Sequence, residues 1–142
     1  MTEQKQSVSL ASLLTPSKTV TVDYPTLPGF SVDLCYLARE ELIKLRSRCV
    51  SQKLNRKTRA FEETLDEDKF LTEYCKAVIK GWKGLKYKYL EELLLVDISG
   101  LNPEDELEFS VENAETLMKN GSDFDTWVTE VTGDLENFTK TK

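Results

Sequence analysis

Apolar residues in this chain recur with two different periods, and the change near Leu37 constrains the fold more than any other feature. In the stretches KTVTVDY, residues 18–24, and FSVDLCY, residues 30–36, apolar and polar residues alternate. A period of two is typical of a β-strand with one buried face. The intervening residues, PTLPG, suit a turn because proline fixes φ and glycine accepts a left-handed conformation. The pattern predicts an N-terminal β-hairpin.

Beyond Leu37 the apolar spacing becomes that of amphipathic helices. The first predicted helix has apolar residues between Leu42 and Cys49 and a basic opposite face, and the basic stretch QKLNRKTRA is expected to end it. The next helix begins at acidic residues 66–68 and carries a double apolar row from Phe70 to Trp82. In this interpretation Gly81 and Gly84 mark the turn that ends it.

Three further segments complete the predicted helices. The run LKYKYLEELLL is amphipathic, and the loop SGLNPEDELEF follows it. Ser110 is expected to cap the next helix, with Gly121 as its left-handed C-terminal cap. The last helix is expected to run from about Asp123 through Gly133 to Phe138. We therefore predict a mostly α fold: residues 18–142 form a small helical domain of four to five helices with the N-terminal hairpin, after a flexible tail, residues 1–17.

Composition argues against several classes of function. The 142 residues suffice for one domain, and no run of about 18 apolar residues is present, so neither a membrane span nor a secretory signal is predicted. The chain has no histidine, and Cys35, Cys49 and Cys75 include no CxxC pair, which argues against a zinc site. We interpret each cysteine as a small buried side chain in a reducing compartment.

Catalytic motifs are also missing from the sequence. The acidic clusters at 66–68 and 104–106 are interpreted as helix caps or solvated loops, since nothing beside them would raise a carboxyl pKa. The glycines of GWKG are not followed by the GK[ST] of a phosphate-binding loop. We expect a protein that is not an enzyme and that has no cofactor and no metal.

Charge is distributed unevenly along the chain. Lys and Arg outnumber Asp and Glu 10 to 5 in residues 1–60 and are outnumbered 20 to 9 in residues 61–142. Residues 39–59 alone hold eight Lys and Arg. Such a stripe attracts phosphates, but a pI near 4.8 and the absence of a known nucleic-acid-binding motif disfavour that role. The expected partner is another protein.

Two long segments resemble the tail assembly chaperones of bacteriophages with long non-contractile tails, the siphophages. They are EDKFLTEYCKAVIKGWKGLKYKYLEELLLVDISGL and ELEFSVENAETLMKNGSDFDTWVTEVTGDLENF, and GFSVDLCYLAREELIKLR is similar to the strand and helix that open that family. The resemblance spans about residues 18–138. The positions that match are Gly81, Trp82, Gly84, Leu85, Phe109, Ser110, Asn113, Ala114, Leu117, Phe124, Trp127, Val128, Leu135 and Phe138.

The resemblance implies a factor of tail assembly that is absent from the mature virion. Such proteins bind the long helical tape-measure protein in the host bacterial cytoplasm, keep it soluble and promote assembly of the tail tube around it. The tail tube protein is a further candidate partner, as is a second copy of this chain. The physics agrees, because a chaperone of this kind needs an apolar groove for an amphipathic helix and charge for solubility.

Eight residues are predicted to bind the partner. Aromatic and apolar residues at the end of the second predicted helix and in the amphipathic run after it are expected at or beside the groove, and basic residues are expected to attract acidic client segments. Trp82 is also a candidate core residue, and one ring of the adjacent tyrosine pair is expected to be exposed. The eight are Trp82, Leu85, Tyr87, Tyr89, Arg46, Arg48, Arg56 and Lys57.

A second interpretation remains open from the sequence. In it the chain is a small acidic regulatory protein that binds DNA or another assembly factor through basic residues 39–59. The two interpretations differ in their partner, a helical client in the first and a phosphate backbone or assembly factor in the second.

Overall fold

The chain has a mixed α/β fold, so the predicted mostly α class is wrong. A computed structural model describes residues 7–15 and 17–139, and in these residues it shows five strands and seven helices. In chain order they are α1 Leu10–Leu13, β1 Ser17–Asp23, β2 Ser31–Leu37, α2 Arg39–Ser47, β3 Val50–Asn55, β4 Ala60–Leu65, α3 Glu67–Val78, β5 Ile79–Lys83, α4 Tyr87–Leu93, α5 Val111–Asn120, α6 Ser122–Thr132 and α7 Glu136–Thr139.

The predicted N-terminal hairpin is confirmed. Strands β1 and β2 pair antiparallel from Ser17 opposite Leu37 to Asp23 opposite Ser31. The turn between them closes with a hydrogen bond from the Tyr24 N–H to the carbonyl of Phe30, just before β2, and the φ of Gly29 in this turn is 84°. Alternation and turn chemistry therefore gave this element correctly, because one face of the hairpin is buried.

Strand β5 pairs with β2 on the side opposite β1 and completes a three-stranded antiparallel sheet in the order β1-β2-β5. The predicted helix from Phe70 to Trp82 thus ends at Val78, and its last turn was predicted wrongly. The register shifts by one residue, since Ile79 lies opposite Leu34 whereas Gly81 lies opposite Asp33. This β-bulge turns the side chains of Ile79 and Trp82 to the same face.

One face of this sheet carries the main core. Helices α3, α5 and α6 contribute buried apolar side chains that pack with those of β2 and β5. The largest fully buried ones are Phe30, Phe124 and Phe138, and Tyr24 packs against both Phe30 and Phe124. Helix propensity alone would not hold elements this short, so this shared apolar surface stabilises them.

A second hairpin occupies the segment that was predicted to end a helix. Strands β3 and β4 pair antiparallel from Val50 opposite Leu65 to Asn55 opposite Ala60 and form a separate two-stranded sheet. Most of their side chains are exposed. The stretch QKLNRKTRA is therefore β-structure and turn.

The predictions for the later helices hold in part. The Ser110 hydroxyl accepts a hydrogen bond from the Asn113 N–H and caps α5 as expected. Gly121 has a φ of −104°, so it is not the left-handed cap that was predicted. Gly133 ends α6, and a separate short helix, α7, brings Phe138 into the core.

The predicted N-terminal tail, residues 1–17, lies partly outside the described residues. Its described part includes α1, none of whose residues is buried, and Ser17 already belongs to β1. Residues 140–142 of the predicted domain also lie outside the described residues. Within the described residues, no helix combines the length and the apolar character needed to cross a bilayer.

Candidate partner-binding surface

The predicted aromatic contact residues lie at a structural junction. Trp82, on β5, is 8 % exposed; its indole N–H donates to the Leu107 carbonyl at 2.9 Å, and its ring packs edge-on against Phe109 at 5.0 Å. Leu85 is fully buried. The Trp82 side chain and the Leu85 carbonyl, which accepts from the Leu107 N–H at 2.7 Å, hold the loop before α5 against the sheet. Neither the Trp82 nor the Leu85 side chain is available to a partner in this conformation.

Of the two glycines of GWKG, Gly81 lies within β5 opposite Asp33, and Gly84 lies at this junction. Gly84 has a φ of 77°, and a Cβ at that position would lie 1.9 Å from the Gly29 carbonyl oxygen. The backbone of β5 thus passes directly against the β1–β2 turn. The Tyr89 hydroxyl donates to the Pro28 carbonyl in the same turn at 2.6 Å, and both Tyr87 and Tyr89 are half-buried. The exposed tyrosine ring that the spacing predicted is not present.

Two lysines of this segment, Lys86 and Lys88, are already paired. Glu104 accepts hydrogen bonds from Lys88 at 2.8 Å and from Lys86 at 3.0 Å. These two bonds lower the pKa of the Glu104 carboxyl, and the Glu104 bond raises the pKa of the Lys86 ammonium. Their charge is therefore largely compensated within the chain.

The predicted basic residues are free for a partner. Arg46 and Arg48 are exposed at the C-terminal end of α2, while Arg56 and Lys57 are exposed in the turn between β3 and β4. Among the described residues, no carboxylate lies within 4.0 Å of any of the four. Their charge remains uncompensated and can attract an acidic partner.

The structure does not bring the aromatic and basic candidates together. Lys83, next to Trp82, pairs with Ser31 at the start of β2. Helix α2 follows Leu37, which is at the other end of that strand. Seven residues of strand separate these two ends by roughly 20 Å. The eight predicted residues therefore do not form one site.

A shallow apolar groove lies instead at the Leu37 end of the sheet, beside α2. Its volume is about 170 Å³, below the roughly 300–1,000 Å³ of typical small-molecule sites. Arg39 and Arg46 do not line the groove themselves. They are three and four residues from Leu42, a spacing that places residues on one helix face, and we infer from it that both arginines lie at the border of the groove. It is lined by Leu37, Leu42, Tyr74, Val78, Thr129, Thr132 and Gly133.

The polar groups in the groove wall are satisfied internally. The Tyr74 hydroxyl lies 2.9 Å from the Thr132 hydroxyl, which donates to the Val128 carbonyl at 2.7 Å. Because the hydroxyl groups of Tyr74 and Thr132 already have hydrogen-bond partners within the protein, the groove suits apolar side chains. Sequence reasoning missed it because its lining comes from four elements that are distant in the chain. The one local signal was Leu42, whose neighbours on the same helix face are arginines.

The described residues contain neither a cluster of metal ligands nor, at Cys75, an activated thiol. In residues 7–15 and 17–139 no three His, Cys, Asp or Glu side chains converge as a metal site would require. Burial, and then the charge of Glu115, raises the pKa of Cys75 to about 11, so its thiol is protonated at neutral pH. The accessible features of this region are an apolar groove and uncompensated cations, which are features of binding surfaces.

The described residues form a small mixed α/β protein with an exposed apolar groove and unpaired arginines. The model of the YdaY prophage protein family matches residues 39–142, and the chain belongs to this family. It is a phage-derived protein. The match begins at α2 and includes the second hairpin and the later helices. No curated protein and no solved structure matched the chain.

Proposed function

We propose that this protein is a tail assembly chaperone that binds the tape-measure protein of its phage. In this proposal it works in the cytoplasm of the host bacterium, keeps the long helical client soluble and promotes assembly of the tail tube, without becoming part of the virion. Membership of a prophage protein family supports the phage setting. The resemblance to siphophage tail assembly chaperones, carried by residues 18–138, supports the tail role.

The observation that carries the proposal is the apolar groove with arginines at its border. An amphipathic client helix would place apolar side chains against Leu42 and Val78, and acidic residues on its flank would meet Arg39 and Arg46. The site requires no catalytic group. Trp82 and Leu85 then act indirectly, by holding the sheet and the later helices together. Tyr87 and Tyr89 remain proposed contacts for a client segment at the opposite end of β2.

The test is co-expression with the tape-measure protein encoded by the same phage. Wild type is expected to move the client from the pellet to the soluble fraction and to elute with it. Leu42→Asp places a charge in the groove and removes apolar contact of a leucine side chain, which is worth about 1.5–3 kcal/mol when fully buried. We therefore expect binding to weaken roughly tenfold or more.

Ile43→Asp is the matched control, because Ile43 is also exposed on α2 and does not line the groove. Far-UV circular dichroism and thermal unfolding establish that both variants fold. The proposal is rejected if the client precipitates equally with and without wild type. Equal loss of binding in both variants would reject the groove as the site while leaving the function standing.

A second candidate function is favoured by uncompensated cations within residues 39–59, namely Arg46, Arg48, Arg56 and Lys57. In it the chain is a regulatory protein that binds DNA or another assembly factor. Electrophoretic mobility of a DNA duplex tests the DNA branch. A salt-sensitive shift that disappears when Arg46, Arg48, Arg56 and Lys57 are changed to Glu would support it. An unchanged duplex mobility with wild type would exclude it.

A further inference from the structure

The second hairpin, β3–β4, has the properties of an arm that lacks its partner surface. Its two strands pair with each other, and within the described residues neither pairs with the three-stranded sheet. Isolated two-stranded hairpins are marginally stable in water and gain from packing against another surface. Leu54 and Phe61 lie directly opposite each other and are 56 % and 71 % exposed. The outer half of the arm therefore presents a bare apolar pair.

The tip of the arm is basic and has a defined conformation. Lys53, Arg56, Lys57 and Arg59 lie at or next to the turn, and the Asn55 side-chain oxygen accepts from the Lys57 N–H at 2.9 Å. The same asparagine donates to Glu62 at 2.7 Å, so one carboxylate of the arm is engaged locally. Residues 46–65 include six basic residues and two acidic ones. The arm thus combines apolar side chains with a cationic border.

A surface of the opposite character lies around the segment that follows α4. There a depression of about 350 Å³ is lined by Leu94, Leu95, Val96, Thr116 and Asn120. Leu95 is fully exposed and Val96 partly so. Residues 91–120 contain nine Asp and Glu and one basic residue, Lys119, which pairs with Glu115 at 3.1 Å. This surface combines apolar side chains with an anionic border.

Several carboxylates lie near that depression in the chain. Glu91 and Glu92 are exposed in the last turn of α4, and Glu112 lies one helical turn before Thr116 on α5. Asp97 accepts hydrogen bonds from both the hydroxyl and the N–H of Ser99, and these bonds lower its pKa. These bonds favour the charged form of the Asp97 carboxylate.

We propose that the β3–β4 arm of one copy docks on the 94–96 depression of a second copy. Leu54 and Phe61 pack against Leu95 and Val96, and the cations of the tip meet the carboxylates around them. The arm and the depression are different surfaces, so the contact is heterologous and joins copies head to tail into a ring or an open chain. A contact the size of one hairpin falls below the roughly 1,200 Å² of stable interfaces, so association should be weak and dependent on concentration.

A second copy fits this arm better than nucleic acid does. Phosphate contacts would use the arginines and lysines but would leave Leu54 and Phe61 exposed. The net charge of −6 also repels a polyanion as a whole. The acidic depression supplies apolar side chains for the apolar pair of the arm and carboxylates for the cations at its tip. This inference requires no client and stands independently of the chaperone role.

Sedimentation equilibrium over a concentration series, at low and at high salt, tests the proposal. Wild type should associate at low salt and dissociate as salt screens the charge pairs. The double variant Arg56→Glu/Lys57→Glu should remain monomeric where wild type associates. Lys80→Glu/Lys83→Glu makes the same change of charge on exposed residues of β5 and should associate as wild type does. Phe61→Ser should raise the Kd about tenfold while the charges stay unchanged.

A mixing experiment distinguishes head-to-tail docking from other modes of association. Glu91→Gln/Glu92→Gln removes charge from the acidic border, and this variant alone should be monomeric. Mixed with Arg56→Glu/Lys57→Glu, it should form a 1:1 dimer that grows no further, because one intact arm and one intact depression remain. The proposal is overturned if wild type stays monomeric at low salt, or if the mixture yields no dimer. Duplex DNA binding that depends on Arg56 and Lys57, without self-association, would also overturn it and assign the arm to nucleic acid.

Discussion

Gly84→Ala tests whether the GWKG segment is a structural junction. At a φ of 77° an L-residue costs about 1–2 kcal/mol relative to glycine. The new methyl group would also lie 1.9 Å from the Gly29 carbonyl oxygen and 2.7 Å from its carbon. Those backbone atoms cannot retreat easily, because Phe30 beside them is fully buried and Tyr89 bonds to Pro28. Displacing the turn should add about 1–3 kcal/mol, as overpacked cores do.

Gly100→Ala is the control that separates the two costs. Gly100 has a φ of 88°, and a Cβ there would have no heavy atom within 4 Å, so this variant carries the backbone cost alone. Urea unfolding followed by tryptophan fluorescence gives both midpoints at an unchanged m value. We expect Gly84→Ala to lose at least about 1 kcal/mol more than Gly100→Ala. Equal midpoints for the two variants would refute the close approach of β5 to the β1–β2 turn.

Two further predictions concern the helix start at Ser110 and the buried thiol of Cys75. Ser110→Ala removes the cap on the Asn113 N–H and should cost about 1 kcal/mol, whereas Ser110→Asp should retain most of it; thermal unfolding compares the two. Because burial and Glu115 raise the Cys75 pKa from 9.0 to about 11, the stability from its neutral form is present below pH 9.0 and is lost as pH rises towards about 11. The stability difference between wild type and Cys75→Ala should therefore shrink over that interval, and Cys75 should resist thiol reagents at neutral pH in the folded state. Rapid labelling of native Cys75 would contradict this.

Elements with one buried face could be predicted from the sequence, because burial imposes a period. The first hairpin and helices α3 and α5 follow this rule. Strand β5 did not, and its bulge gives the reason. Ile79 and Trp82 are three residues apart, the spacing of a helix face, and the extra residue in the strand turns both side chains to the core. Periodicity alone cannot separate a bulged strand from a helical turn over so short a segment.

The second hairpin escaped prediction because it buries almost nothing. Without a buried face, VSQKLN and AFEETL carry little alternation of apolar and polar residues. Its turn also lacks the usual glycine, and Arg59 takes the left-handed conformation with a φ of 55°. Asn55 was the available signal, since its side chain bonds to the backbone two residues later, as asparagines in turns do. The apolar groove was missed for a different reason: its lining residues come from several segments, so they form no local sequence pattern.

The groove beside α2 and the β3–β4 arm are neighbours along the chain. Arg46, at the border of the groove, lies four residues before β3, so the arm extends directly from the helix that borders the groove. The 94–96 depression belongs to another part of the chain, between α4 and α5. If copies join head to tail, each new copy brings one further groove at a fixed spacing from the last. A long amphipathic helix would then bind several weak grooves at once, and its overall affinity would far exceed that of any single contact. Arg56→Glu/Lys57→Glu should accordingly leave the groove of each copy intact yet reduce client solubility at limiting chaperone concentration. Leu42→Asp should instead weaken client binding at each groove and leave self-association unchanged.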